Sequence, residues 1–131
     1  MPYFERAAFR AAMSQDAAGR LSQIVELLAT LNARTWQLDA VWRDAAASEP
    51  SIREQATRRE LERRTQLGHG LDLLLQAPVE QQIVDTVWIL TGSDVYAKLV
   101  TTAGLSHEEY VIWLTATLGR LLGQPAVPLT S

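Results

Sequence analysis

Cysteine is absent from this chain of 131 residues, which excludes disulfides, cysteine-ligated zinc or iron–sulfur centres, and a thiol nucleophile. Long apolar runs are absent too: the longest, such as 87–90, cover only a few residues, whereas a membrane-spanning helix needs about 20. The first residues, 1–6, do not lead into the apolar segment that a signal peptide requires. We therefore expect a single soluble domain in the cytoplasm, without contact to a membrane.

Excess positive charge is also missing, because 12 Lys and Arg against 15 Asp and Glu give a formal net charge of −3. This is the wrong sign for a protein whose affinity comes from neutralising phosphates. The densest group of arginines is Arg58, Arg59, Arg63 and Arg64. Acidic residues interrupt this group, which is typical of a solvated helix face. We predict that this chain alone does not bind DNA.

Residues for catalysis are scarce. The chain has two histidines, His69 and His107, and contains no nucleophile elbow, phosphate-binding glycine loop or H-E-x-x-H motif. His69 and Asp72 could share one helical face, but a metal site needs more than two ligands. We predict neither an enzyme nor a bound metal or cofactor.

Prolines divide the chain into helical stretches. The five copies, at positions 2, 50, 78, 125 and 128, leave long intervals without a helix breaker. Apolar residues within these intervals recur every three or four positions, the period of a helix face. The pattern predicts helices over 3–13, 17–47, 51–76 and 78–91, a short helix to about 102, and a helix over 107–122. No segment alternates with period two, so we predict an all-α fold.

Local signals indicate where several of these helices begin. Ser51 with Glu54, and Ser106 with Glu109, form the S-x-x-E pattern of a capping box. Pro78 suits the first turn of the helix that follows it.

Polar residues lie close to the apolar stripe of the 17–47 helix, at Asn32, Thr35 and Asp39. Such groups either bond one another at the edge of the stripe or face a ligand, because a buried polar group must be satisfied. Tryptophans provide wide apolar walls nearby: Trp36, Trp42 and Trp88. Wide apolar walls with a few polar groups are typical of a small-molecule pocket between helices.

The opposite wall of such a pocket would come from the 51–76 helix. Gln66 and His69 are the candidates there, and we expect Gly68 and Gly70 to loosen or break the helix beside them.

A longer motif occupies the last third of the chain. Segment 84–96 reads V-D-T-V-W-I-L-T-G-S-D-V-Y, followed by Leu99-Val100, Gly104-Leu105-Ser106, Tyr110, Trp113-Leu114 and Leu118-x-x-Leu121-Leu122. This pattern resembles the C-terminal effector-binding domain of TetR-type (TetR/AcrR) transcriptional regulators, although many members have Trp where this chain has Leu105. The resemblance covers 17–122 and implies an antiparallel helical bundle. Residues 1–16 would be a short helix or the remnant of a connecting helix, and 123–131 a loose tail.

The resemblance also implies that the last two long helices form a four-helix interface between two copies. Both helices carry apolar residues nearly all round, which is more than one buried face needs. We therefore predict a homodimer whose interface includes Ile83, Val87, Leu90, Tyr110, Trp113, Leu114, Leu118 and Leu121.

Two functions are compatible with these features. The first is the ligand-sensing and dimerisation domain of a TetR-like regulator without its DNA-binding helix-turn-helix, for which the chain before Asp16 is too short. Its effector would be a small, largely apolar molecule, neutral or weakly basic, with Asp39 as counter-charge for a cation. The second is a helical dimerisation module that binds no small molecule.

Overall fold

Helices form nearly all of the computed structural model, which describes residues 17–123. The elements are α1 (Ala17–Ala46), α2 (Pro50–Leu75), α3 (Gln81–Leu90), α4 (Ser93–Ala97) with a π-helical continuation (Lys98–Thr102), and α5 (His107–Leu121). Within this range there is no strand, so the all-α prediction is confirmed for it. None of the described helices is long and apolar enough to cross a membrane. The predicted helix over 3–13 and the tail from 124 onward lie outside the described residues.

Helix α1 is the centre of the packing. It contacts α2, α4 and α5, while α3 packs against α2. The reason is its stripe of apolar residues three and four positions apart, of which Leu21, Ile24, Val25 and Ala29 are buried. The core formed around this stripe leaves the C-terminal half of α1 less covered.

Helix starts agree with the capping predictions at one place out of two. At α5, Ser106 accepts from the backbone N–H of Glu109, and the Glu109 carboxylate accepts from the backbone N–H of Ser106, both at 3.0 Å. This capping box is confirmed. The one predicted at Ser51 is wrong, because α2 begins at Pro50 and places Glu49, without a side-chain cap, at its N-cap. Proline fits the first helical position, where a missing N–H costs nothing.

Helix α3 begins later than predicted, at Gln81 rather than Pro78. Helix α2 ends at Leu75, and the C-cap residue Gln76 adopts the left-handed conformation with φ 56°. The Asp72 carboxylate then accepts a hydrogen bond of 2.9 Å from the backbone N–H of Val79. This bond holds the linker against α2, and Pro78 belongs to that linker and not to the helix.

The expected break at Gly68 and Gly70 does not occur, since α2 runs unbroken to Leu75. Two interior glycines cost a helix only about 0.5–1 kcal/mol each. Leu67 and Leu71 are buried on either side of them, and this packing offsets the cost. The glycines therefore do not make this segment a hinge in the structure.

Half of the predicted dimer-interface residues belong to the core of the single chain. Four are fully buried within it: Val87, Tyr110, Leu114 and Leu118. They cannot lie on an outer surface, because α5 turns Tyr110, Leu114 and Leu118 toward α1, and Val87 of α3 packs in the same core. The other four are partly buried against the same core: Ile83, Leu90, Trp113 and Leu121. The apolar side chains that α3 and α5 do expose are Ile89, 61% exposed, and Ile112, 46% exposed.

Candidate functional site

A cavity of about 400 Å³ opens between the C-terminal half of α1, the N-terminal half of α2 and the junction of α3 with α4. Helices α1 and α2, which are connected by residues 47–49, line its two long sides, and Thr91, Ser93 and Asp94 line a third. Its lining consists of Leu31, Asn32, Thr35, Asp39, Trp42, Arg43, Gln55, Ala56, Arg59, Glu60, Arg63, Thr91, Ser93 and Asp94. Its volume falls within the range of small-molecule sites, roughly 300–1,000 Å³.

The floor of the cavity is polar and buried. The side-chain nitrogen of Asn32 donates to the backbone oxygen of Thr91 at 3.0 Å and, more weakly, to the Tyr110 hydroxyl at 3.5 Å. The Thr91 hydroxyl donates to the backbone oxygen of Val87 at 2.7 Å. These bonds join α1, the end of α3 and α5 at a single point under the cavity.

One wall comes from a single face of α1. Thr35, Asp39 and Trp42 follow Asn32 at three- and four-residue spacing, so all four predicted residues face the same space. The Thr35 hydroxyl donates within its own helix, to the Leu31 backbone oxygen at 3.0 Å. Among the described residues, no hydrogen bond or ion pair engages the Asp39 carboxylate.

The opposite wall is basic, which differs from the expected lining. Arg63 of α2 donates to the Glu60 carboxylate at 3.0 and 3.2 Å, to the backbone oxygen of Trp88 at 2.9 Å and to the Thr91 hydroxyl at 3.3 Å. The bonds to Trp88 and Thr91 hold the end of α3 against α2, and the Glu60 carboxylate pairs with the charge of the guanidinium.

Two further arginines remain less engaged. The Arg59 guanidinium lies 6.0 Å from the centre of the Trp42 ring, a cation–π contact across the cavity. Arg43 donates only a long 3.4 Å bond to the Ser93 hydroxyl. Of the ion pairs in the described part of the chain, none includes either residue.

Four of the eight predicted site residues lie elsewhere. Trp36 and Trp88 pack against the core as partly buried side chains. Gln66 is partly buried on α2 but does not line the cavity, and exposed His69 borders a separate cleft of about 200 Å³. The reason is that the cavity lies beside the first half of α2, whereas the prediction placed it beside the second half.

Trp88 instead belongs to a cluster of charged residues between α2 and α3. The guanidinium groups of Arg63 and Arg64 lie 5.9 and 5.8 Å from its ring. Arg64 donates to the Asp85 carboxylate at 2.6 and 2.9 Å, and Gln81 donates to it at 2.8 Å. The hydrogen bonds from Arg64 and Gln81 hold the pKa of Asp85 below its ordinary value. This cluster fixes α3 on α2.

A second polar group lies under α4. The Tyr96 hydroxyl and the His107 Nδ1 are 3.1 Å apart, and the Tyr96 and Tyr110 rings meet edge to face at 4.6 Å. Burial raises the pKa of both tyrosines, because the charged phenolate would lose its hydration. These residues continue the polar contacts of the floor toward the start of α5.

The sequence indicated the arginine wall only weakly. Gln55, Arg59 and Arg63 lie four residues apart and so share one face of α2, together with Ala56 and Glu60. That face resembles an ordinary solvated one, and only its position opposite the Asn32 face of α1 distinguishes it. No group of three or more potential metal ligands occurs in the described range.

Comparison with known proteins provides no further guide, since no family model, curated protein or solved structure matches this chain.

Proposed function

We propose that this chain acts as the ligand-sensing and dimerisation domain of a TetR-like transcriptional regulator. The observation that carries the proposal is the cavity of about 400 Å³, which has a buried polar floor at Asn32 and Thr91 and an aromatic wall at Trp42. A helical module used only for association has no need of such a space. The resemblance of segment 84–122 to the C-terminal domain of these regulators supports the same function.

The floor supplies a physical route from ligand to dimer. Asn32 lines the cavity and also bonds the Thr91 carbonyl and the Tyr110 hydroxyl, on the two elements that the dimer would use. A ligand that competes for Asn32 would change how α3 and α5 pack on α1. A shift of this kind, transmitted to a second copy, is the allosteric coupling that a regulator requires.

Dimerisation would use the exposed faces of α3 and α5. Ile89 and Ile112 are the large apolar side chains that these helices leave exposed. Two copies related by a two-fold axis would cover both faces with the same surface. DNA would be contacted by a helix-turn-helix to which this chain is fused or with which it pairs.

A chimeric repressor tests this proposal. The full chain is fused behind a helix-turn-helix domain that binds its operator only as a dimer, and repression of a reporter is measured. We expect repression, and we expect Ile89→Arg and Ile112→Arg each to abolish it. Leu38→Arg is the matched control, because Leu38 on α1 is as exposed as Ile89, at 61%. Absence of repression, or equal loss with Leu38→Arg, would contradict the proposal.

A further inference from the structure

The cavity has two chemically different ends, and this difference restricts what it can bind. At the floor, both hydrogen bonds of Asn32 are made by its side-chain nitrogen. Its side-chain oxygen therefore has no partner in the described part of the chain, and neither does the Asp39 carboxylate two turns along α1. The floor therefore presents one acceptor, the Asn32 side-chain oxygen, and the Asp39 carboxylate lies about 10 Å further along α1, one turn before Arg43.

At the other end, the cavity presents donors. Arg59 faces Trp42 without a carboxylate partner, and Arg43 makes a single long bond to Ser93. Arg63 is neutralised by Glu60. The exposed Asp94 lies in the first turn of α4, where a negative charge meets the positive end of the helix. Arg43 and Arg59 are therefore the two guanidinium groups of the lining that make no ion pair within the described residues, although Asp39 and Asp94 balance them in formal charge.

The two ends line one cavity of about 400 Å³, a volume that a compact ligand fills. Arg43 reaches Ser93, which is two residues from Thr91, and the Thr91 carbonyl is bonded to Asn32. Two residues of extended chain span at most about 7 Å. Between the ends, Leu31, Trp42 and Ala56 provide apolar surface suited to one or two fused rings.

We propose that the cavity binds an aromatic carboxylate that carries a hydroxyl group at its far end. The carboxylate lies between Arg43 and Arg59, the rings contact Trp42, and the hydroxyl donates to the side-chain oxygen of Asn32. This assignment rests on the proposed function for its biological meaning, and it replaces the neutral or weakly basic ligand expected from the sequence.

Isothermal titration calorimetry of the full chain with 6-hydroxy-2-naphthoate tests the assignment. Two probes of the same shape accompany it: the neutral carboxamide and the cationic aminomethyl analogue. A charge-assisted bond to a guanidinium predicts that the carboxylate binds roughly tenfold or more tightly than the carboxamide. Equal or tighter binding of either analogue would overturn the assignment, and so would absence of binding by the carboxylate at millimolar concentration.

A matched pair of variants locates the effect. Arg59→Gln should lower the affinity for the carboxylate about tenfold and leave that for the carboxamide unchanged. Arg58→Gln is the control, because it removes the same charge from the neighbouring exposed position of α2, which does not line the cavity. Equal losses of affinity for the carboxylate in both variants would indicate a long-range effect of the removed charge and would refute the site.

These results are separable from the test of the proposed function. A carboxylate preference that depends on Arg59, in a chain that fails in the chimeric repressor, would uphold the ligand class and refute the regulator. Repression by the chimera without the carboxylate preference would uphold the regulator and refute the ligand class.

Discussion

Replacing Asn32 with Leu should destabilise the fold strongly, although the two side chains are similar in size. Asn32 is buried and donates to the backbone oxygen of Thr91 at 3.0 Å. That oxygen is at the end of α3, where carbonyls lack helical partners. The substitution removes the donor and leaves the carbonyl buried without a bond.

The magnitude follows from the cost of an unsatisfied buried acceptor, about 1–3 kcal/mol. We expect Asn32→Leu to lower the free energy of unfolding by about 2 kcal/mol, toward the middle of that range. For a domain of this size, about 4 °C of Tm accompanies each kcal/mol, so Tm should fall by about 8 °C. Urea titration followed by far-UV circular dichroism measures the first quantity, and a thermal scan measures the second.

Two comparison variants separate the Thr91 bond from other effects. Tyr110→Phe removes only the weaker 3.5 Å contact with Asn32 and should cost about 0.5–1 kcal/mol. Thr35→Val also makes the cavity wall apolar, but the Thr35 hydroxyl bonds within its own helix, so its loss should stay within about 0.5 kcal/mol. A loss for Asn32→Leu no larger than that for Thr35→Val would refute the role given to the Thr91 bond.

Three further outcomes are expected. Multi-angle light scattering at micromolar concentration should give twice the 14.5 kDa mass of the chain, and a clean monomer mass would contradict the dimer. Because Arg64 lowers the pKa of Asp85, the stability that this carboxylate contributes is complete above its ordinary pKa of 3.8 and is lost as the pH falls through the lowered value. Between about pH 5 and pH 2, Asp85→Asn should therefore lose less stability in urea titrations than the wild type does, and parallel losses would refute the linkage. Gly68→Ala should raise the free energy of unfolding by about 0.5–1 kcal/mol, because its methyl group would meet Val84 at an ordinary 3.6 Å, and a fall in Tm would show that α2 needs glycine there.

Helix positions could be predicted from the sequence because periodicity and proline are local signals. Helix α1 was expected over 17–47 and covers Ala17–Ala46, and α5 begins at the predicted capping box. Errors arose where several local signals compete. Both Pro50 and Ser51 suit a helix start, and the proline occupies the first position.

The burial of α5 could not be predicted from its composition. A helix apolar on two sides must cover both, but nothing in the sequence says which side meets its own chain. Tyr110 and Leu114 were assigned to a partner, yet they pack on α1 within the same chain. Only the tertiary arrangement distinguishes the two possibilities.

The cavity shows the same limit. Asn32, Thr35, Asp39 and Trp42 share one helical face, so their convergence could be predicted. The facing wall depends on the axial offset between α2 and α1, that is, on which residues of the two helices lie opposite each other. Helical periodicity does not determine this offset. Arg59 therefore lines the cavity in place of Gln66.

A distance between two copies tests the central proposal most directly, because it reports dimerisation and ligand response together. The chain contains no cysteine, so Gln23→Cys, at an exposed position near the start of α1, allows one spin label per copy. Double electron–electron resonance should then give one defined distance, which shifts when 6-hydroxy-2-naphthoate saturates the cavity. Absence of a dipolar signal, or a distance that stays the same with the ligand bound, would contradict a ligand-sensing dimerisation domain.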